Sequence, residues 1–394
     1  MNRFLEEALA LKDELIQNRR YLHQNAELAF DLPLTKAFVT EMLESYGYQV
    51  SELGGGLTAA CGNGSPVIML RADMDALPLK EESGLPYACT NGKACHACGH
   101  DAHTAMLLCA ARILKNHESE LQGTVKFMFQ AGEETLKGSQ AMIDAGILEN
   151  PHVDAAMGLH LNFGPCGPYD IHPGTIAYAK GPMLASADEF EITVTGKTAH
   201  GSMAYLGVSA VSVASNIVAA LQQMVALEVP AAETVALSIG SLYSGSASNI
   251  LPGDATISGS FRTLNPVIRE NIRKRVVEIS QGIASAWRAS ADVNYKIGID
   301  PNVNDRELTE EMGSYIAEVA EKVEIIEPVL GSEDFANLCR HVPTFFANIC
   351  AGDPSDGYEY AMHNPKMRID EDALVYGAAA HCNCAVSWLA NHSR

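Results

Sequence analysis

The sequence predicts an α/β protein in two parts: a domain built on a largely parallel mixed sheet flanked by helices, and a smaller α+β domain of βαββαβ order inserted into it. Three observations carry this. Continuously apolar runs at 66–73, 124–130 and 155–159 alternate with helical stretches near 103–116 and 138–148, and strands apolar on both faces belong to sheets covered by helices on both sides. From 184 to 298 apolar residues instead alternate with polar ones, the pattern of half-buried antiparallel strands. After 299 the first rhythm returns, with a helix around 305–322 and an apolar run at 343–349. The expected division is therefore 1–183 plus 299–394 for the α/β domain and 184–298 for the insertion.

Taken in order, Leu9, Leu11 and Leu15, then Phe38, Met42 and Leu43, recur at helical spacing, and Asp31-Leu32-Pro33 breaks the stretch into two N-terminal helices. The run from Pro66 ends at Asp73, the run from Thr124 leads to Glu133-Glu134, and the run from Ala155 leads to His160. Three strands thus finish on polar side chains at the end where open α/β sheets place their sites. In the insertion, Phe190, Ile192 and Val194 alternate, a helix covers Gly207 to about Glu228, and Val235, Leu237 and Ile239 alternate again. Ala255, Ile257, Gly259 and Phe261 follow. Asn265-Pro266 supplies an N-cap and a proline at the first helical position for a helix to about Trp287, and Val293, Tyr295 and Ile297 close the unit. Two helices on one face of four such strands are similar to a ferredoxin-like domain.

The 394 residues carry 27 Lys+Arg against 48 Asp+Glu, a formal charge of −21, and are 47% hydrophobic. That charge argues against nucleic acid or an anionic membrane as partner, since both reward a basic face. No continuous apolar run approaches the roughly 18–20 residues of a membrane span, and Met1-Asn2-Arg3-Phe4-Leu5-Glu6-Glu7 does not read as a secretory leader. Ten cysteines without a dense, evenly spaced framework fit a reducing compartment, so a cytoplasmic location is expected.

The densest chemistry lies in Cys95-His96-Ala97-Cys98-Gly99-His100-Asp101-Ala102-His103. Cys98 and His100 sit just before a helix, where one loop can aim both at an ion, and thiolate with imidazole suits zinc or another first-row divalent metal. Cys95-x-x-Cys98 also reads as a redox pair or half of a zinc knuckle. A knuckle needs a second pair, and Cys382-x-Cys384 inside an apolar C-terminal helix is a poor one. His96 and His103 read as helix-entry or supporting groups rather than ligands. Glu133-Glu134 invites two roles: with Glu134 on a metal, Glu133 can take a proton from water and return it to a leaving group. Acids decorating a helix N-terminus are the plainer alternative. His160 and His363 are weak alone and gain weight jointly.

Arg71-Ala72-Asp73-Met74-Asp75-Ala76-Leu77-Pro78, Cys98-Gly99-His100-Asp101-Ala102-His103, Gln130-Ala131-Gly132-Glu133-Glu134, Gly158-Leu159-His160, Gly331-Ser332-Glu333-Asp334-Phe335 and His363-Asn364-Pro365 follow one another along the chain. In order and spacing they resemble the M20 metallopeptidase family, and most closely its amidohydrolase branch of N-acyl-amino-acid, hippurate and indoleacetyl-amino-acid hydrolases. The resemblance covers nearly the whole chain. It implies Cys98, His100, Glu134, His160 and His363 as ligands of a centre of two divalent ions, zinc or manganese, with nickel or cobalt also able to serve. It implies Glu133 as general base and acid, Asp75 as the group that orients a metal-bound histidine, and Asp73 as support for the loop. In the insertion it implies His200 as a lid histidine that reaches the substrate carbonyl, usually in the partner subunit of a homodimer, with a tetramer open. Asn249 and Arg262 match positions that hold the substrate's carboxylate end, a task suited to a guanidinium fork. Where many members of the branch read His-Ala-Ala-Met-Pro-His, this chain reads His200-Gly201-Ser202-Met203-Ala204-Tyr205, a departure that bears on the acyl pocket rather than on metal chemistry.

The activity expected is metal-dependent cleavage of the amide bond in a small N-acyl amino acid or peptide-like substrate. A dipeptidase or aminopeptidase of the same fold differs only in needing a carboxylate for the substrate's α-ammonium. A catalytically inactive binding protein would have no need of Glu133, and a thiol redox protein is a weaker alternative still.

Overall fold

The computed structural model describes residues 1–162, 169 and 171–393. They form two compact units, one of Met1–Met183, Val303–Glu327 and Asp334–Arg394, the other of Leu184–Asn302 with Pro328–Glu333.

The first unit opens with α1 (Arg3–Ala10), α2 (Lys12–Gln24) and α3 (Pro33–Ser45), so the two expected N-terminal helices are three, with Leu11 breaking the first stretch. Asn2 caps α1 by accepting the Phe4 N–H, and Pro33 starts α3, where its missing N–H costs nothing. The strands β1 (Ser51–Leu53), β2 (Gly56–Gly62), β3 (Val67–Asp73), β4 (Thr124–Gln130), β5 (Ala155–Asn162) and β6 (Thr175–Tyr178) join Lys322–Ile325 and Thr344–Cys350 in one sheet. Its order is β1-β2-β4-β3-β5, then Thr344–Cys350, β6 and Lys322–Ile325. The centre, from β4 through β3 and β5 to Thr344–Cys350, is parallel, whereas β1, β2 and β6 add antiparallel pairings. Every residue of β3, β4 and Thr344–Cys350 is buried, as strands covered on both faces must be. Between the strands lie α4 (His100–Asn116) and α5 (Gly138–Asp144), and α4 packs with the C-terminal helix Leu374–His392 against β3. Parallel register sets Asp73 opposite Gln130 and Arg71 opposite Gly158, so the carboxyl ends of β3, β4 and β5 share one edge.

The second unit is a four-stranded antiparallel sheet in the order Val235–Tyr243, Asp254–Thr263, Ala187–Thr195, Ser290–Ile299, with α6 (Ala210–Glu228) and α7 (Pro266–Ala286) packed on it. Phe190, Ile192, Val194, Ile257 and Phe261 form a core with Val213, Ile217, Leu221, Ile272 and Val276 of the helices. Asn265 accepts the N–H groups of Val267 and Ile268, the cap read from the sequence. Ala210–Glu228 and Glu371–His392 are long and apolar enough by length and composition to cross a bilayer, although neither is a continuous apolar run; the second is 78% buried inside the protein.

A buried charge network ties α2 to α4. Arg19 Nε lies 2.7 Å from Asp101 Oδ2, His23 Nδ1 lies 2.8 Å from the same oxygen, and His23 Nε2 lies 2.9 Å from Glu81 Oε1. Arg19 Nη2 also lies 3.0 Å from His23 Nδ1, so the ring faces one guanidinium and two carboxylates. Burial and Arg19 push His23 down, yet Asp101 and Glu81 outweigh them and leave its pKa above 6.5. A raised folded-state pKa means stabilisation that is complete below the unfolded value and lost as pH climbs through the folded one. The urea-unfolding free energy of the wild type should therefore decline as pH rises from about 6.5, and His23→Gln should be less stable at pH 6 and lack this part of the decline. Parallel curves for the two proteins would mean that another group is responsible.

Candidate metal centre

The site is built on the shared carboxyl edge. Beyond β3 the chain runs from Asp73 to Asp75; beyond β4, Glu133–Thr135 make one tight 3₁₀ turn; β5 carries His160 near its end, and α4 begins at His100. Two glycines set these loops. Gly99 has φ +88°, and a Cβ there would lie 2.5 Å from Leu161 Cδ1, so the Cys98–His100 loop rests directly on β5. Gly132 has φ +75° against the Phe30 ring.

Cys98, His100 and His160 form one triplet of donors, with the ligand atoms all within 4.8 Å of one another, and Cys98, Glu134 and His363 form a second within the same limit. Cys98 belongs to both. His160 Nδ1 donates to the Leu161 carbonyl at 2.6 Å, which leaves the Nε2 lone pair 3.5 Å from Cys98 Sγ. His100 is fully buried, its Nε2 3.8 Å from Glu134 Oε1 and 3.9 Å from Glu133 Oε2. His363 Nε2 lies 3.9 Å from Glu134 Oε1 with its side chain 58% exposed. The backbone of His363 is left-handed at φ +64° and donates to the Ala97 carbonyl at 2.6 Å, which binds it to the Cys98 loop.

The supporting groups are as specific. Asp75 accepts the N–H of Glu133 at 2.9 Å and that of Glu134 at 3.2 Å, and its Oδ1 lies 3.7 Å from His100 Nδ1. Asp73 accepts from Arg71 at 2.7 Å and from His103 Nδ1 at 2.6 Å. Because His103 Nε2 receives the Leu161 N–H at 2.7 Å, both of its nitrogens are engaged. His96 is buried with its ring 6.3 Å from that of His23. Cys95 and Cys98 are both free thiols, and the described cysteines form no disulfide.

Electrostatics follow from burial. The Cys98 thiol is pushed up by burial, with the Glu134 and Glu133 carboxylates adding to it. Burial would lower His100, but Asp73, the Cys98 sulfur and Asp75 hold it well above its ordinary value. His160 is pushed well below by burial and by His103 beside it, and Glu134 is raised by burial. Asp73 stays ionised despite burial because Arg71 and the histidines hold it well below the usual range.

A sequence profile of peptidase family M20/M25/M40 matches residues 69–387. The chain belongs to this family. It is 34% identical over 373 residues to the N-acetyl-L-cysteine deacetylase of Bacillus subtilis (strain 168), covering 93% of this chain and 86% of that one. It is 34% identical over 386 residues to IAA-amino acid hydrolase ILR1-like 2 of Arabidopsis thaliana, covering 96% and 85%. Among solved structures it resembles the Bacillus subtilis YXEP protein, a dinuclear metal binding peptidase from the M20 family, with a TM-score of 0.82 and 29% identity over 97% of this chain and 99% of that one.

The M20 site passes a test of fit for metal. Both ring nitrogens of His100 and Oε1 of Glu134 are buried without a hydrogen-bond partner, a condition that buried polar atoms rarely tolerate. The donor set of thiolate, imidazoles and carboxylate suits first-row divalent ions. In the second unit, His200 ends the short strand Ala199–His200, which pairs with Ile250–Leu251, and the Gly201 N–H donates to the Asn249 carbonyl at 2.7 Å. Arg262, on the strand Asp254–Thr263, donates to the Phe261 carbonyl and makes no hydrogen bond to His200 among the described residues. One contributor escaped the sequence reading. The Asp334 N–H lies 3.4 Å from Glu133 Oε1, and the Asp334 carboxylate is held by Gln130 at 2.7 Å, the Ser139 N–H at 2.9 Å and Arg71 at 3.2 Å. An aspartate in a sequence motif gives no hint of a contact made by its backbone.

Because Cys98 is common to both triplets, Cys98→Ala should cost the protein both ions, whereas His363→Ala should cost only one. Metal content per chain after desalting checks this, and two ions retained by Cys98→Ala would remove the shared thiolate.

Proposed function

We propose that the chain hydrolyses the amide bond of N-acyl amino acids, releasing a carboxylate and a free amino acid. The observation that carries this is the pair of donor triplets sharing Cys98, with the Glu133 carboxylate beside them. Cys98, His100, Glu134, His160 and His363 would hold two divalent ions, zinc or manganese by their chemistry, with nickel or cobalt also compatible. Such ions supply Lewis acidity toward an amide carbonyl and make a water molecule more acidic. The relatives named N-acetyl-L-cysteine deacetylase and IAA-amino acid hydrolase support an N-acyl substrate.

Glu133 does the proton work. Its side chain is 7% exposed, and the Asp334 N–H and the Asp75 grip on its backbone fix where the carboxylate points. It takes a proton from the attacking water and, as the C–N bond breaks, returns that proton to the departing nitrogen. His200 serves as the lid donor that hydrogen-bonds the carbonyl oxygen as it gains charge, and Asn249 and Arg262 hold the substrate's carboxylate. The second unit would then be a lid and dimerisation domain, and His200 of the partner subunit would complete each site. The free described cysteines accord with a cytoplasmic location.

Glu133→Gln keeps the shape but removes the proton acceptor, so turnover should fall by at least ~10²-fold while metal content stays unchanged. Loss of metal with the activity would make Glu133 a ligand instead. A panel of N-acetyl, N-benzoyl and indoleacetyl amino acids beside simple dipeptides should show turnover of the acylated compounds, and preference for the dipeptides would overturn the substrate assignment. Mixing inactive Glu133→Gln and His200→Ala subunits should restore activity, because one of the two sites in the heterodimer then has both groups intact. Heterodimers that form and stay inactive would place His200 outside the reaction or within its own subunit's site.

A further inference from the structure

We infer that Ser202 is a positioning residue that fixes the tautomer of His200, so that Nε2 presents its N–H outward as the hydrogen-bond donor. The inference rests on the reading of His200 as the lid donor. His200 Nδ1 accepts the backbone N–H of Ser202 at 3.2 Å and lies 2.9 Å from Ser202 Oγ. A backbone N–H can only donate. Nδ1 is therefore the unprotonated nitrogen of the neutral ring, and the proton resides on Nε2. Nδ1 has one lone pair, which the Ser202 Oγ–H at 2.9 Å shares with the longer backbone N–H contact as the closer of two donors.

The turn that makes this contact is local and anchored. His200 stands opposite Ile250 in the two-stranded pair and acts as the N-cap of the 3₁₀ segment Gly201–Leu206, accepting through its side chain. The Gly201 N–H donates to the Asn249 carbonyl at 2.7 Å, and a Cβ at Gly201 would lie 3.0 Å from that oxygen, so the turn between His200 and Ser202 is tied closely to the neighbouring strand. His200 is exposed, and among the described residues its ring makes no hydrogen bond other than those to Ser202. Rotation or tautomer exchange of an exposed ring would otherwise present a bare lone pair to a carbonyl oxygen for part of the time.

The test is made on the full-length metal-loaded enzyme. Ser202→Ala should lower kcat about 3- to 10-fold, the scale of one neutral hydrogen bond, with KM little changed, and Ser202→Thr should restore most of the loss. Ser202→Pro, which also removes the backbone donor, should cost more. In protein labelled with ¹⁵N-histidine at alkaline pH, the His200 signals, identified by their disappearance in His200→Ala, should report a protonated Nε2 and an unprotonated Nδ1, with an Nδ1–H population appearing in the serine variants. A wild-type ring protonated at Nδ1, or serine variants as active as wild type beside an inactive His200→Ala, would overturn the inference while leaving the lid reading intact. A fully active His200→Ala would instead overturn the lid reading, and the catalytic role of Ser202 with it. Should the proline variant fail to fold, the alanine variant and its spectrum decide.

Discussion

Asp73, fully buried at the end of the central strand, is the fixed point to which the carboxyl edge of the sheet is referred. One oxygen takes Arg71, the other takes His103, and its backbone carbonyl accepts the Thr104 hydroxyl at 2.7 Å. His103 passes the contact on to the Leu161 N–H, so a single carboxylate binds β3 to the first turns of α4 and to β5. An ionised carboxylate in such a place costs several kcal/mol unless paired and hydrogen-bonded, and here two of the partners, His103 and Thr104, hold the helix that begins at His100, while His103 also reaches the Leu161 N–H beside His160. Asp75, two residues on, does the same for β4 by gripping the N–H groups of Glu133 and Glu134.

Behind this edge lies a second layer of buried charge. Arg71 reaches Gln130, Asp73 and Asp334 at once, and Asp334 also takes the Gln130 amide and the Ser139 N–H. Replacing such a network by apolar side chains can leave a protein as stable or more so, whereas deleting one member strands the others. Its contribution is placement: the Asp334 backbone meets Glu133 Oε1, the carboxylate proposed above as the proton-transfer group, and such a group displaced by about 1 Å loses a large part of its rate.

The insertion keeps its own core and its own local devices. Strand residues alternate between the helix-covered face and an outer face of serine, glutamate and lysine, as at Ser238, Ser260, Glu191 and Lys296. Arg269 clasps Asp188 through two hydrogen bonds of 2.7 and 2.9 Å, joining α7 to the strand Ala187–Thr195. The His200 turn depends on contacts two residues apart and on the adjacent Asn249 carbonyl, so it can be formed by this unit alone.

How far the sequence reaches depends on the range of the forces that decide each feature. Apolar patterning is local, and it was enough for the long elements: the expected strands at 66–73, 124–130 and 155–159 lie within one or two residues of their observed starts, although β5 runs on through Asn162. The βαββαβ order of the insertion was equally legible, as was the Asn265 cap. Short elements were not. The β1–β2 hairpin and the outer strands β6 and Lys322–Ile325 owe their existence to neighbours far along the chain, and α5 and the helix Arg306–Ile316 stop earlier than periodicity suggested. The residue types of the candidate centre, and the motifs that place the chain in its family, could be read from the sequence. That Cys98 stands in two donor triplets, that His103 spends both nitrogens on Asp73 and Leu161, and that Asp334 reaches Glu133 through its backbone were decided only in three dimensions. Residue identity determines which chemistry is available, but the burial that shifts a proton affinity and the few ångströms that separate a ligand from a supporting group are set by packing between segments the sequence holds far apart.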